Sequence, residues 1–348
     1  MHRGCLSLLV ALLLPLPAFA GDVQLPAGFT THVYVTGEGF DGGSGAAPGI
    51  PAVSTMAFDS TGAMYLGRTG RRYSGGQVYD LWPIYRIPPG GGRVAASNEE
   101  RYLYGPPLPN AQVGAMRAGR ELFVSTFDRE RGIGAVYRVL EGRAELFAGG
   151  TPPRGQAPLL RQPEAVALGA AGHVYVADRE QGVVVRLDAT GAVVDSGYVR
   201  VRRPRLLACA GDDVLWVGAD GNADAPWQAG PGEIHRVTPQ ASTVVFRGAV
   251  PAAMAVGPEG VLVVADRHAG RVFALNAEGA RVDLIRFPPG AFPRGIGFAP
   301  DTPETRRAGI AGDLFVVTIT AGAWRVNDVL RISGPFAQLF RDRAAASR

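Results

Sequence analysis

Hydrophobic residues in this chain come in short runs separated by glycine-rich or charged punctuation. The stretch 163–191, PEAVALGAAGHVYVADREQGVVVRLDATG, carries the pattern most plainly. Residues 164–168 are small and apolar, 173–177 alternate around Val and Tyr, and 183–187 are branched and apolar. Such a series is expected of consecutive antiparallel strands joined by tight turns. The template returns at Pro251 as PAAMAVGPEGVLVVADRHAGRVFALNAEG, with V-A-D and a Gly-then-Val third strand in register. One sheet of this size cannot bury both faces alone, so its repetition implies stacking on copies of itself.

Six such units can be placed. The first begins near Val53, where STMAFDSTGAMYLGR matches EAVALGAAGHVYVAD without a gap, and its third strand, 84–87, follows an insertion at 69–83. The second carries QVGAMRAGRELFVST, and the third is the template. The fourth carries RLLACAGDDVLWVGA and a second insertion at 220–232; the fifth starts at Pro251. The sixth starts at Pro293, detours through 301–312 and resumes as GDLFVVT. The reading is all-β, a six-bladed β-propeller of four-stranded antiparallel blades. Residues 30–35 form a lone opening strand that can complete the last blade and hide its edge. Residues 336–340 compete for the same outer position.

The 48 Gly and 27 Pro of the 348 residues suit many short strands and turns. Residues 1–20, MHRGCLSLLVALLLPLPAFA, have a short basic start, an apolar run and the small-x-small ending Ala18-Phe19-Ala20. They read as a signal peptide, too short to span a membrane, and leave 21–348 as a single domain in a secreted or periplasmic protein. All 35 basic residues are Arg, and losing Arg3 with the signal takes the formal charge from +4 to +4 − 1 = +3. That balance, without basic clusters interleaved with aromatics, argues against a nucleic-acid partner. The mature chain keeps one cysteine, Cys209, in an apolar run, where it reads as a buried inert thiol.

The pattern P-x-x-x-A-x-x-x-x-G-x-x-Y-V-A-D followed by G-x-V-x-x-x-D-x-x-G resembles NHL repeats and the wider six-bladed group that includes the SMP-30/gluconolactonase type. A looser likeness, to soluble quinoprotein sugar dehydrogenases, rests on LPAGFTTHVYVTG and GDLFVVTITAGAWRVNDVLRI. The first resemblance implies a divalent cation held on the axis by a Glu and Asn/Asp side chains. Here only Glu164 fits, and Arg205 and Arg294 would repel a metal. The second implies a catalytic His and basic residues for a quinone cofactor; the arginines fit, but Gln112 occupies the region where the second blade should supply the His.

The register predicts two rings of side chains around the central opening. The starts of the first strands supply Ser54, Gln112, Glu164, Arg205, Ala252 and Arg294, and the ends of the second strands Arg68, Thr126, Asp178, Ala219, Asp266 and Thr318. Glu164, Arg205 and Arg294 read either as paired structural charges or as a polar pocket, with Arg68, Asp178, Asp266 and His268 on the same face. Converging arginines suit a carboxylate or phosphate. Asp220, Asn222 and Asp224 have the D-x-N-x-D spacing that opens a calcium loop, but Ala225 and Pro231 depart from it, so calcium and an ordinary polar turn both stay open. The insertions bring Tyr73, Tyr79, Trp82 and Trp227 toward this face, as should Tyr102 and Tyr104. The functional expectation is an axial site for a small, anionic ligand (carboxylate, phosphate or sugar) or a protein partner. The alternative is an enzyme using the same pocket, as a metal-dependent hydrolase or lactonase, a lyase, or a quinone-dependent sugar dehydrogenase.

Overall fold

The first strand of each repeat is short, apolar and small-residued because it lines a crowded centre; the second is apolar on both faces because it is covered on both. Leu262–Asp266, LVVAD, is buried at all five positions. A computed structural model describes residues 23–340, apart from 39, 42–45, 48–49, 51–52, 69–71, 75–76, 80, 129, 170–171, 212–213, 226 and 321–327. Residues 1–20, read from the sequence as a signal peptide, therefore lie outside the described residues. Among those described, no helix is long and apolar enough to cross a membrane.

The fold is a six-bladed β-propeller. Its inner strands are Val53–Phe58, Gln112–Arg117, Pro163–Leu168, Pro204–Ala210, Pro251–Val256 and Ala291–Phe298. Each contacts the next, and the sixth contacts the first, so the ring closes. Blades two to five are four-stranded and antiparallel, in sequence order from the axis outward. The core divides into six apolar clusters, one at each junction between neighbouring blades.

Closure is by the N-terminal strand. Thr30–Glu38 pairs antiparallel with Val329–Ser333 as the outer strand of blade six. Residues 336–340 do not compete: Phe336–Gln338 is a 3₁₀ turn. Pro335 has no N–H to give a ladder, and Phe336 is buried against Phe29 and Phe298 at centroid distances of 5.0 and 5.1 Å.

A second stitch was not expected. Gly92–Ala95, which follows the third strand of blade one, leaves that blade three-stranded and pairs in parallel with Thr30–Glu38 on the edge of blade six. Gly91 makes the crossing possible: it has φ +83°, and a Cβ there would stand 2.0 Å from the Tyr34 carbonyl oxygen. The detour in blade six holds the short helix Pro303–Arg307, capped reciprocally by Thr302 and Thr305.

Cys209 lies in the inner strand of blade four, and burial pushes its thiol up to about 12. Little thiolate exists at neutral pH, and the thiolate is the reactive form. Alkylation at pH 7.5 followed by mass spectrometry is expected to leave Cys209 unmodified in the native protein and to label it fully in denaturant.

Candidate functional site at the propeller axis

Every inner strand carries a β-bulge at the same level. Pairing skips one residue between Val53 and Thr55, Val113 and Ala115, Pro163 and Ala165, Pro204 and Leu206, Pro251 and Ala253, and Pro293 and Gly295. The skipped residues are Ser54, Gly114, Glu164, Arg205, Ala252 and Arg294, and all six line one axial cavity of about 290 Å³. Bulges bend a strand and re-aim side chains, which is how a repeat devoted to packing comes to present charges at its centre.

Five of the six inner-ring positions read from the sequence are therefore bulge residues; blade two is the exception. Its first hairpin turns between Arg117 and Glu121, against Leu168 and Val174 in the template, so a gapless alignment slips. Gly114 replaces Gln112 in the ring, and Val124 replaces Thr126 at the second-strand position. The glycine is required, since a Cβ there would lie 2.8 Å from the Val166 side chain. Gln112 still reaches the cavity, where its Nε2 donates to Glu164 Oε2 at 2.7 Å.

Glu164 is bracketed by amides, with Gln162 Nε2 donating to its other oxygen at 2.5 Å. Arg205 is committed differently. Its Nε donates to Asp220 Oδ1 at 2.7 Å, and its terminal nitrogens donate to the carbonyls of Pro251 and Ala252 in the next blade. Asp220, 1% exposed, takes Arg179 Nε on its second oxygen at 3.0 Å, and Arg179 also donates to the Asp224 carbonyl at 3.1 Å. One carboxylate thus ties together residues of blades three and four, and Arg205 extends the network to blade five. Arg294 and Arg267 complete the basic lining.

The second-ring acids do not line the cavity. Asp178 is fully buried and accepts from the backbone N–H groups of Arg161, Gln162 and Gln181 at 2.6, 3.3 and 3.1 Å. Asp266 accepts from Ala269 N and from Arg271 Nε, both at 3.0 Å. Both shape the turns behind the site; Asp178 in particular anchors Gln162, whose amide holds Glu164. The Arg68 backbone ends its strand opposite Val53, while its side chain falls outside the described residues. His268 sits outside the lining, with Nδ1 3.3 Å from the Trp227 carbonyl oxygen.

Trp227, 58% exposed, stands at the rim of the cavity with the Arg267 guanidinium 5.1 Å from its ring centroid. Tyr102 and Tyr104 are staples instead: Tyr102 donates to the Arg93 carbonyl, and Tyr104 packs edge-on against Tyr65 at 4.9 Å. The side chains of Tyr73, Tyr79 and Trp82 lie outside the described residues.

In the 220–232 loop both Asp220 oxygens are occupied by guanidiniums, and Asp224 Oδ1 accepts from Arg203 Nη1 at 2.7 Å. Asn222 is joined through its carbonyl to Arg203 Nη1 at 3.5 Å. Both aspartates of the calcium-like run are thus committed to arginine. Among the described residues no group of three or more His, Cys, Asp or Glu could hold a metal ion.

Comparison with known proteins bears on the fold. No protein-family model matches the chain, and no curated protein matches it. Solved structures do. The PQQ-bound aldose sugar dehydrogenase of Streptomyces coelicolor aligns over 89% of this chain and 100% of its own, at 13% identity and TM-score 0.57. A gluconolactonase of Xanthomonas campestris aligns over 82% and 87%, at 14% identity and TM-score 0.54. A putative gluconolactonase aligns over 89% and 93%, also at 14% and 0.54. The shared property is the six-bladed fold.

The cofactors that these likenesses imply fit this cavity poorly. A divalent cation would find Glu164 already bracketed by amides and Asp220 held by two arginines, with further guanidiniums alongside. The catalytic imidazole implied by the quinoprotein likeness has no counterpart among the described cavity-lining residues.

Proposed function

We propose that this is an exported propeller whose axial cavity binds a small ligand carrying a carboxylate or phosphate. The observation that carries the reading is the charge of the cavity wall. Arg179, Arg205, Arg267 and Arg294 face Glu164, Asp220 and Asp224, a balance of 4 − 3 = +1. Asp220 is spent on Arg179 and Arg205, and Asp224 on Arg203 from outside the lining. Arg294 and Arg267 line the same cavity, and guanidinium recognises a ligand anion through paired hydrogen bonds. A volume of about 290 Å³ suits a metabolite-sized molecule. Residues 1–20 support export, since their basic start, apolar run and Ala18-Phe19-Ala20 ending match a cleavable signal.

The test is thermal melting of the mature protein with phosphate, citrate and gluconate. A ligand at 100 times its Kd stabilises by about 2.7 kcal/mol, which raises Tm by roughly 4 °C in a protein of this size. Arg294→Ala is expected to abolish most of that shift, measured against the mutant's own ligand-free melting temperature. No shift with any anion would sink the reading.

A catalytic use of the same cavity is the second reading, and Glu164 favours it. A carboxylate oriented by two amides and ion-paired to no arginine among the described residues is placed to accept a proton from a bound anion whose developing charge guanidinium stabilises. That arrangement suits a lyase or hydrolase working without a metal. Turnover lost in Glu164→Gln with anion binding retained would support it.

A further inference from the structure

The cavity is not uniformly basic. Blade three puts an acid, Glu164, on the inner ring, and its Arg179 is turned to Asp220 of blade four; in a ring of six, blade three stands opposite blade six. Glu164 and Arg294, the bulge residues of those two blades, therefore face the axis from opposite sides. Glu164 also differs from the other acids of the cavity in what holds it. Asp220 and Asp224 are each paired with arginine. Glu164 receives only two neutral amides, and among the described residues no arginine or histidine forms an ion pair with it. Those amides orient the carboxylate without neutralising it. A carboxylate has about four acceptor sites, so roughly two remain for a ligand donor.

The bracket is itself braced. Gln162 is anchored through its backbone N–H to the buried Asp178, and Gln112 is fixed by pairing with Ser125 in its own blade. Glu164 is thus a preorganised acceptor in a half-buried setting, where an unneutralised charge is costly and a cationic donor relieves that cost.

We propose that the axial site takes a zwitterionic ligand, an amino acid or ω-amino acid, with its ammonium group on Glu164 and its carboxylate on the Arg294 side. The inference rests on the anion-binding reading above and narrows it. A hydroxyl could also donate to Glu164, but hydrogen bonds between two ionised groups are roughly twice as strong as neutral ones. An ammonium is therefore preferred over a hydroxyl in an otherwise identical ligand.

The experiment measures binding to the mature protein by calorimetry and melting with two matched series. The first is alanine, lactate and propionate; the second is 4-aminobutyrate, 4-hydroxybutyrate and butyrate. In at least one series the amino member is expected to bind tenfold or more tightly than both others. Glu164→Gln keeps an acceptor oxygen but loses the charge, and should shrink that preference to about threefold or less. Arg294→Ala should weaken all members alike. Should Glu164→Gln fail to fold, the wild-type series alone decides. Plain and hydroxy acids binding as tightly as amino acids would overturn the zwitterion while leaving the anion site standing. No response to either series, with phosphate or citrate still binding, would overturn it as well. Silence toward every anion would remove both readings.

Discussion

Asp220→Ala is expected to lower stability more than any other single substitution at the axial site, by about 3–5 kcal/mol, the usual cost of stripping one partner from a buried ion pair. The carboxylate is 1% exposed and divides its oxygens between Arg205 Nε and Arg179 Nε. Those side chains are themselves only 12% and 18% exposed, so neither guanidinium can turn fully to water when the carboxylate goes. Arg205 would keep its bonds to the carbonyls of Pro251 and Ala252, but two cations would then stand together without an acid. Thermal melting should show a fall of roughly 4–7 °C. The pair Asp220→Ala/Arg205→Met should recover part of the loss, because it removes an unpaired charge and keeps an apolar stem in its place. A single mutant within about 1 kcal/mol of wild type would mean that cavity water solvates the arginines, and the carboxylate would then be no structural centre.

That network also explains why the sequence left Arg205 ambiguous. Its place on the axis could be read from the repeat, because the inner strands are copies and a charge in a small-residue slot stands out. Its partner could not be read, since Asp220 lies in an insertion that follows no repeat. The D-x-N-x-D run attracted a calcium interpretation for the same reason. Spacing alone does not reveal that Arg179, in the preceding blade, and Arg203 and Arg205 converge on those acids.

The elements that the sequence displayed best are those packed on both sides. Second strands such as Leu262–Asp266 are buried throughout and read as unbroken apolar runs. Outer strands such as Val193–Arg200 are mostly exposed or half-buried, and their composition says little. The bulges left no local mark either, apart from Pro before the skipped residue in four blades. Without that proline blade two slips, because Val113 stands in its place and the hairpin turn is shorter. Gly92–Ala95 was invisible for a further reason: its pairing partner lies in another blade, and only tertiary contact determines that choice.

Removing residues 22–37 should be the most damaging change of all, with a protein that aggregates or melts more than 10 °C below wild type. The deletion takes away nearly all of Thr30–Glu38, which is paired on both sides, antiparallel to Val329–Ser333 and parallel to Gly92–Ala95. Two strands would lose a neighbour at once, and exposed ladder groups of that kind recruit other chains. The core would lose Tyr34 and Val35, 7% and 0% exposed, whose burial stabilises by about 1.5–3 kcal/mol each. Tyr34 also stacks edge-on with Phe315 at 4.8 Å and accepts the Gly90 N–H at 2.7 Å, so the turn leading to Gly92–Ala95 loses its anchor. Phe29 leaves the Phe336 ring it packs against, and the bridge between Gln24 and Arg286 on blade five is lost. A synthetic peptide covering residues 22–38, added in excess, should restore part of the melting temperature by reoccupying the gap, which separates loss of a strand from general misfolding. An unchanged melting curve for the truncated protein would show that the ring closes without its N-terminal strand, and the paired edge seen at blade six would then contribute nothing to its stability.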